Sequence, residues 1–146
     1  MGMDVNQRDQ SRNQSTADFQ QKRIFIFDNR FEEGVFKNNG AAAMTLSLGS
    51  LVARNTAVAN GFIPVTAANL ADTIGISANE YDIELPANGT SNINIATKGT
   101  IEAIHLALPV GVTLQTTVGN KSLRDVLEGL GFHIEVNALE NTKFDN

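Results

Sequence analysis

Tyr81-Asp82-Ile83-Glu84-Leu85, a turn signal at Asn88-Gly89, Ser91-Asn92-Ile93-Asn94-Ile95-Ala96-Thr97, a second signal at Lys98-Gly99, and Thr100-Ile101-Glu102-Ala103-Ile104-His105-Leu106-Ala107-Leu108 form the stretch that decides the fold class. Tyr81, Ile83 and Leu85 alternate with Glu80, Asp82 and Glu84. Successive strand side chains point to opposite faces, so the alternation predicts a strand with one apolar, buried face and one acidic, solvated face. Asn-Gly and Lys-Gly supply the positive φ angles of tight hairpin turns. The stretch is therefore expected to be a three-stranded meander, with Tyr81 on its buried side.

Outward from this meander the same grammar repeats. Leu46 to Ala53 is expected to be a strand bent at Gly49, and Asn60-Gly61 to turn it into Phe62-Ile63-Pro64-Val65. Pro64 cannot donate to a ladder, so that strand lies at an edge or ends there. Thr66 to Asp72 allows a short helical turn, Ile74-Gly75-Ile76 a short strand, and Val112, Leu114 and Thr116 another. Ser122 is placed to cap the clearest helix, whose Leu123, Val126, Leu127 and Leu130 form one apolar stripe. Gly131 suits the left-handed residue that ends it, and Phe132 to Val136 alternates as a last strand. The fold expected is mostly β: a small single-domain sandwich or open barrel of short antiparallel strands, with one short C-terminal helix and an extended N-terminal arm.

That arm defines the expected domain organisation: residues 1–40 as a flexible tail and apolar interaction arm, residues 41–146 as the compact domain. Residues 1 to about 22 are almost wholly polar and cannot offset their ordering entropy by burial. At Arg23-Ile24-Phe25-Ile26-Phe27-Asp28 the character changes, and Phe31, Val35 and Phe36 continue it. Four apolar residues in a row without alternation require cover on both faces. Either the strand is buried in its own domain, or it pairs with another subunit by strand addition. The second reading makes Ile24, Phe25, Ile26, Phe27, Phe31, Val35 and Phe36 the candidate contact residues. Asn38-Asn39-Gly40 reads as a break between arm and domain.

Composition narrows the function classes. The chain has 146 residues, a formal charge of −5 and eleven scattered Lys and Arg, so no basic stripe suits a nucleic-acid backbone. The absence of cysteine removes disulfides, thiolate metal sites and a Cys nucleophile. No stretch approaches the roughly 20 apolar residues of a bilayer span, and the polar N-terminus lacks a signal-peptide core. A protein made and retained without secretion is expected, with no nucleic acid and no membrane among its partners. His105 and His133 are the only histidines and have no companion ligand motif, so they are expected at strand surfaces or an interface. Glu80, Asp82 and Glu84 are expected to be a solvated face rather than a carboxylate site. Gly119-Asn120-Lys121-Ser122 departs from the phosphate-loop pattern at Asn120 and Gln115. No enzymatic constellation and no cofactor are expected.

From about Leu48 to Val136 the chain resembles the head decoration, or capsid cement, proteins of lambda-type tailed bacteriophages. The landmarks are Leu48-Gly49-Ser50-Leu51-Val52-Ala53, Phe62-Ile63-Pro64-Val65, Ile74-Gly75-Ile76, Thr97-Lys98-Gly99-Thr100-Ile101-Glu102 and Leu127-Glu128-Gly129-Leu130-Gly131-Phe132-His133-Ile134. Their order carries the resemblance. It implies a non-enzymatic virion protein, a homotrimer on the outer capsid surface that binds the major capsid protein and cements neighbouring subunits. It also implies an N-terminal arm that orders on capsid strands, so removal of residues 1–37 is expected to leave a folded domain that no longer binds. Two other classes stay open: a carbohydrate- or receptor-binding β module of a head fibre, and a tail or connector subunit.

Overall fold

The computed structural model describes residues 24–136. The tails expected before residue 23 and after residue 136 lie outside the described residues. The element order is β1 (Phe25–Lys37), β2 (Met44–Leu46), β3 (Leu51–Asn55), β4 (Gly61–Pro64), β5 (Thr73–Ser77), β6 (Ile83–Leu85), β7 (Thr90–Glu102), β8 (Thr117–Val118), β9 (Lys121–Ser122), α1 (Leu123–Leu130) and β10 (Phe132–Glu135). Single 3-10 turns occupy Leu70–Asp72 and Ala103–His105.

The expectation of a mostly β fold with one short helix holds, and the alternative realised is a barrel. Its strands run β1-β4-β3-β5-β7, and β7 pairs back onto β1 to close it. β10 adds outside, parallel to β7, with Ile134 opposite Ile101. The β3–β4 hairpin expected at Asn60-Gly61 forms through a loop from Thr56 to Asn60 that ends on Asn60 at φ 55, with Gly61 already in β4 opposite Asn55.

Two apolar clusters follow from strand alternation. Phe36, Val52, Ile74, Phe62, Ile93 and Ile95 draw on all five barrel strands and fill the interior, as side chains do in small barrels. Leu46 and Leu85, from β2 and β6, join this interior. Leu51, Ala53, Ile76, Ala96 and Ile101 point the other way and pack with Leu123 and Leu127 of α1 and Phe132 and Ile134 of β10. The helix is held as its sequence requires. The Ser122 hydroxyl accepts from Asp125 N at 3.2 Å, and Gly131 ends it at φ 114.

Three local expectations are corrected. The meander does not form, because β6 pairs antiparallel with β2 rather than with β7. β7 is one 13-residue strand that runs straight through Lys98-Gly99. Gly99 has φ 135, and a Cβ there would collide with the backbone and side chain of Asn29. Its glycine accommodates the close approach of an irregular stretch of β1, not a hairpin turn. The strand expected from Leu46 to Ala53 is two elements separated by a turn, with Gly49 at φ 89. Val112 to Thr116 is a turn, closed by Thr116 N donating to Thr113 O at 3.1 Å, and not a strand.

The separate N-terminal arm is also corrected. β1 pairs antiparallel with β7 from Phe25↔Ile101 to Lys37↔Thr90, and parallel with β4 at Val35↔Gly61 and Phe36↔Phe62. It therefore has two partners within its own chain, and the boundary drawn at residue 40 cuts a barrel strand from its barrel. The physical reason is long-range pairing, which no local pattern encodes.

Asn38, read in sequence as part of a chain break, is instead a buried fastening. Its side-chain amide donates to Ala42 O, Leu85 O and Pro86 O at 2.8, 3.2 and 3.0 Å, and its Oδ1 accepts from Gly40 N at 3.0 Å. It ties the end of β1 to the end of β6. Asn38→Ala would strand the buried Leu85 carbonyl and remove the ties to the more open Ala42 and Pro86 carbonyls, and is expected to cost about 1–3 kcal/mol. Chemical denaturation should show the lowered midpoint with an unchanged slope; an unaltered midpoint would mean that water replaces the amide without loss.

Candidate interaction surface

β1 carries every one of the seven candidate contact residues except Ile24, which directly precedes it. The structure divides them. Ile24 and Phe25 are buried against the outer cluster, and Phe36 is wholly buried in the barrel interior. These three are corrected: their surface is used within the chain, so none is available to a partner. Ile26, Phe27, Phe31 and Val35 remain open, with relative exposures of 46%, 71%, 49% and 38%. The even cover demanded by the run Ile24 to Phe27 is thus absent, because β1 becomes irregular there. Its register against β7 shifts on both sides of Phe27, and Asp28 adopts φ 52.

The exposed set is a strip along one strand, and it is rigidly mounted. Phe31 stands edge-on to the buried Phe25 at 5.6 Å between centroids, with the rings 84° apart. Val35 is fixed by its N–H donating to Asn60 O at 2.9 Å. Gly34 beside it has no room for a side chain, since a Cβ would meet Asn60 O and the Phe62 ring. On the other face of the strand Glu32 accepts from Arg54 at 3.0 Å, and the Arg54 guanidinium lies 5.4 Å over the Phe62 ring. Phe31, Glu33 and Val35 share the outward face of β1, whereas Glu32, Gly34 and Phe36 lie on the face turned to the barrel interior, so the exposed side chains stand outside the barrel beside a carboxylate.

Chemistry elsewhere is sparse. Among the described residues no three His, Asp or Glu side chains converge in a way that could hold a metal. Glu80, Asp82 and Glu84 are exposed, as a solvated face should be. His133 Nε2 lies 3.0 Å from Glu135 Oε1. His105, expected on a strand, lies in a 3-10 turn with Nε2 3.7 Å from the buried Glu102 carboxylate. Tyr81 is corrected: it is 74% exposed and lies outside β6, because regular pairing begins only at Ile83. Among the described residues no helix is long and apolar enough to cross a membrane.

Two exposed apolar residues had no signal in the sequence that marked them. Val110 is almost wholly exposed at the tip of the Pro109-Val110-Gly111 turn, and Ile104 protrudes from the 3-10 turn after β7. Ile104 lies beyond the end of β7 at Glu102, inside the stretch expected to continue as strand to Leu108.

No family model matches this chain, and a search of curated proteins finds no significant relative.

Proposed function

We propose that this protein is a non-enzymatic decoration, or cement, protein of a phage head, which binds the outer capsid surface and stabilises contacts between major capsid subunits. The observation that carries this reading is the open apolar strip of Ile26, Phe27, Phe31 and Val35 on a strand locked into a closed barrel. Exposed apolar side chains on a rigid element are the property expected of an adhesive protein. The ordered landmarks from Leu48 to Ile134 supply the phage context, and with it a homotrimer as the proposed working form. The negative formal charge of −5 suits a surface protein that must not adhere to DNA.

The contact model changes with the barrel. Binding is assigned to the exposed face of β1 rather than to a free arm, with Phe27 as its most open aromatic anchor. Phe27→Ser should leave the melting transition within a few degrees of the parent and weaken binding to expanded, undecorated phage heads by about tenfold or more, the effect of losing one anchoring aromatic. Co-sedimentation with such heads measures it. Parent protein that fails to sediment with them would sink the decoration reading, and unimpaired binding by the variant would move the contact away from β1.

The exposure of Tyr81 favours a second reading, a carbohydrate- or receptor-binding module of a head fibre. A ring offered to solvent on a β scaffold is a platform for stacking on a sugar. A glycan array separates the two, with a Tyr81-dependent signal supporting the fibre module.

A further inference from the structure

The backbone of β1 has one edge that its own barrel leaves open. β7 pairs along one side of the strand from Phe25 to Lys37, whereas β4 takes the opposite side only from Val35 onward. Val35 N–H points to that opposite side, since it donates to Asn60 O at 2.9 Å. Strand backbone groups alternate with a period of two, so Glu33 and Phe31 aim their N–H and C=O groups at the same edge. Among the described residues no backbone group pairs with them there. An unpaired strand edge beside exposed phenylalanines is a template for another strand, and from Phe31 to Lys37 the register of β1 against β7 is unbroken.

We propose that this edge pairs with the same edge of a second copy of the chain, antiparallel about a two-fold axis at Phe31. The register is selected by charge. With Phe31 opposite Phe31 of the second copy, Arg30 stands opposite Glu32 and Glu32 opposite Arg30. A two-fold placed at Arg30, Glu32 or Glu33 would oppose like charges instead, which is destabilising in directly facing strand pairs. Phe31 would exchange both of its backbone bonds with its counterpart, and Glu33 would bond Asn29 across the axis. The pairing ends on its own at both sides: β4 occupies the edge beyond Gly34, and Asp28 at φ 52 turns the chain out of line.

Edge pairing lies in the plane of the sheet, so it leaves the outward face of β1, with Phe31 and Val35, free and doubles it across the two copies. Self-association through the edge and adhesion through the face are compatible. The first does not depend on the capsid reading and is tested without any capsid.

Sedimentation velocity of the full chain across about 1–200 µM should show a reversible two-fold step, from monomer to dimer or, where the proposed homotrimer forms through another surface, from trimer to hexamer. A trimer that associates no further would overturn the edge pairing. Each symmetric dimer contains the Arg30–Glu32 pair twice. Arg30→Glu is therefore expected to weaken association by about tenfold, and Glu32→Arg likewise, since cross-strand pairs contribute roughly 0.2–1 kcal/mol each and change sign here. The double variant Arg30→Glu with Glu32→Arg should restore association to within about threefold, which loss of the Arg54–Glu32 contact or of fold would not do. The chain has no cysteine, so Phe31→Cys should cross-link to itself through a short bis-maleimide, whereas Val110→Cys should not. A monomer at every concentration, single variants that associate like the parent, or a double variant that is not rescued would each overturn the proposal. So would a monomer whose Phe31 and Glu33 amides resist hydrogen exchange, because that result assigns the edge to residues 1–23.

Discussion

Deleting residues 1–37 is expected to abolish the fold, not merely the binding of a partner. The deletion removes β1, and with it the strand that joins β4 to β7 and closes the barrel. It uncovers one side of β7 from Thr90 to Ile101 and empties three buried positions: Ile24, Phe25 and Phe36. Burying one large apolar side chain contributes about 1.5–3 kcal/mol, so these three alone approach the whole stability of a typical domain, about 5–15 kcal/mol. The truncated chain should show no cooperative melting transition by circular dichroism and should be recovered largely as aggregate, given the exposed edges of β4 and β7. A cooperative transition near that of the full chain would show that the remaining strands close by themselves.

Replacing Phe36 with alanine is expected to be the most damaging point change on β1. Phe36 is wholly buried in the barrel interior, packed with Phe62, Val52, Ile93 and Ile95. The barrel is closed by backbone bonds on all sides, so its wall can collapse only partly around the lost ring. Phe→Ala at such a site costs about 3–5 kcal/mol, the transfer term plus the cavity. For a domain of this size the melting temperature should fall by on the order of 15 °C. Phe27→Ala, nine residues earlier on the same strand, should change stability by less than about 0.5 kcal/mol because its ring is already in water. The contrast separates the two roles of β1. Equal losses at both positions would mean that Phe27 is covered in the folded protein.

Phe27 and Phe36 also show where sequence reading stops. Both sit in the same phenylalanine-rich segment, and nothing local distinguishes an anchor from a core ring. The seven candidates share apolar character in a segment that lacks clean alternation. That character is real, but burial depends on what lies opposite. Phe36 packs with Phe62 and Ile93 where Gly34 lets β4 approach, while Phe27, still paired with Thr100 of β7, is turned to solvent where the register shifts on both sides of it. The open edge at Phe31 and Glu33 is equally invisible in sequence, since it exists only by virtue of where β4 begins.

The glycines teach the same distinction. Asn60-Gly61 marks a hairpin in both sequence and structure, because the loop and its two strands are neighbours along the chain. Lys98-Gly99 carries the same local signal, yet β7 continues through it. There the glycine serves an approach by Asn29, a residue 70 positions away. Local chemistry states that a special backbone angle is tolerated, and tertiary contact decides what the angle is used for.

The opening stretch, Tyr81 to Leu108, keeps its β character and loses its assumed architecture. Composition, period-two alternation, the Ser122 cap and the Gly131 stop are local properties, and by themselves they determined a mostly β chain with one short helix. Pairing is a property of residues far apart. Only the tertiary structure joined β6 to β2, kept β7 whole, and brought β1 back across the chain to close the barrel. Closure has a physical reason. An unpaired β1 would carry two open edges and several exposed aromatics; pairing satisfies the whole edge toward β7 and the end of the edge toward β4, and it buries Ile24, Phe25 and Phe36. What it leaves over, the exposed side chains of Ile26, Phe27, Phe31 and Val35 and the short edge from Asn29 to Glu33, is where partners are expected.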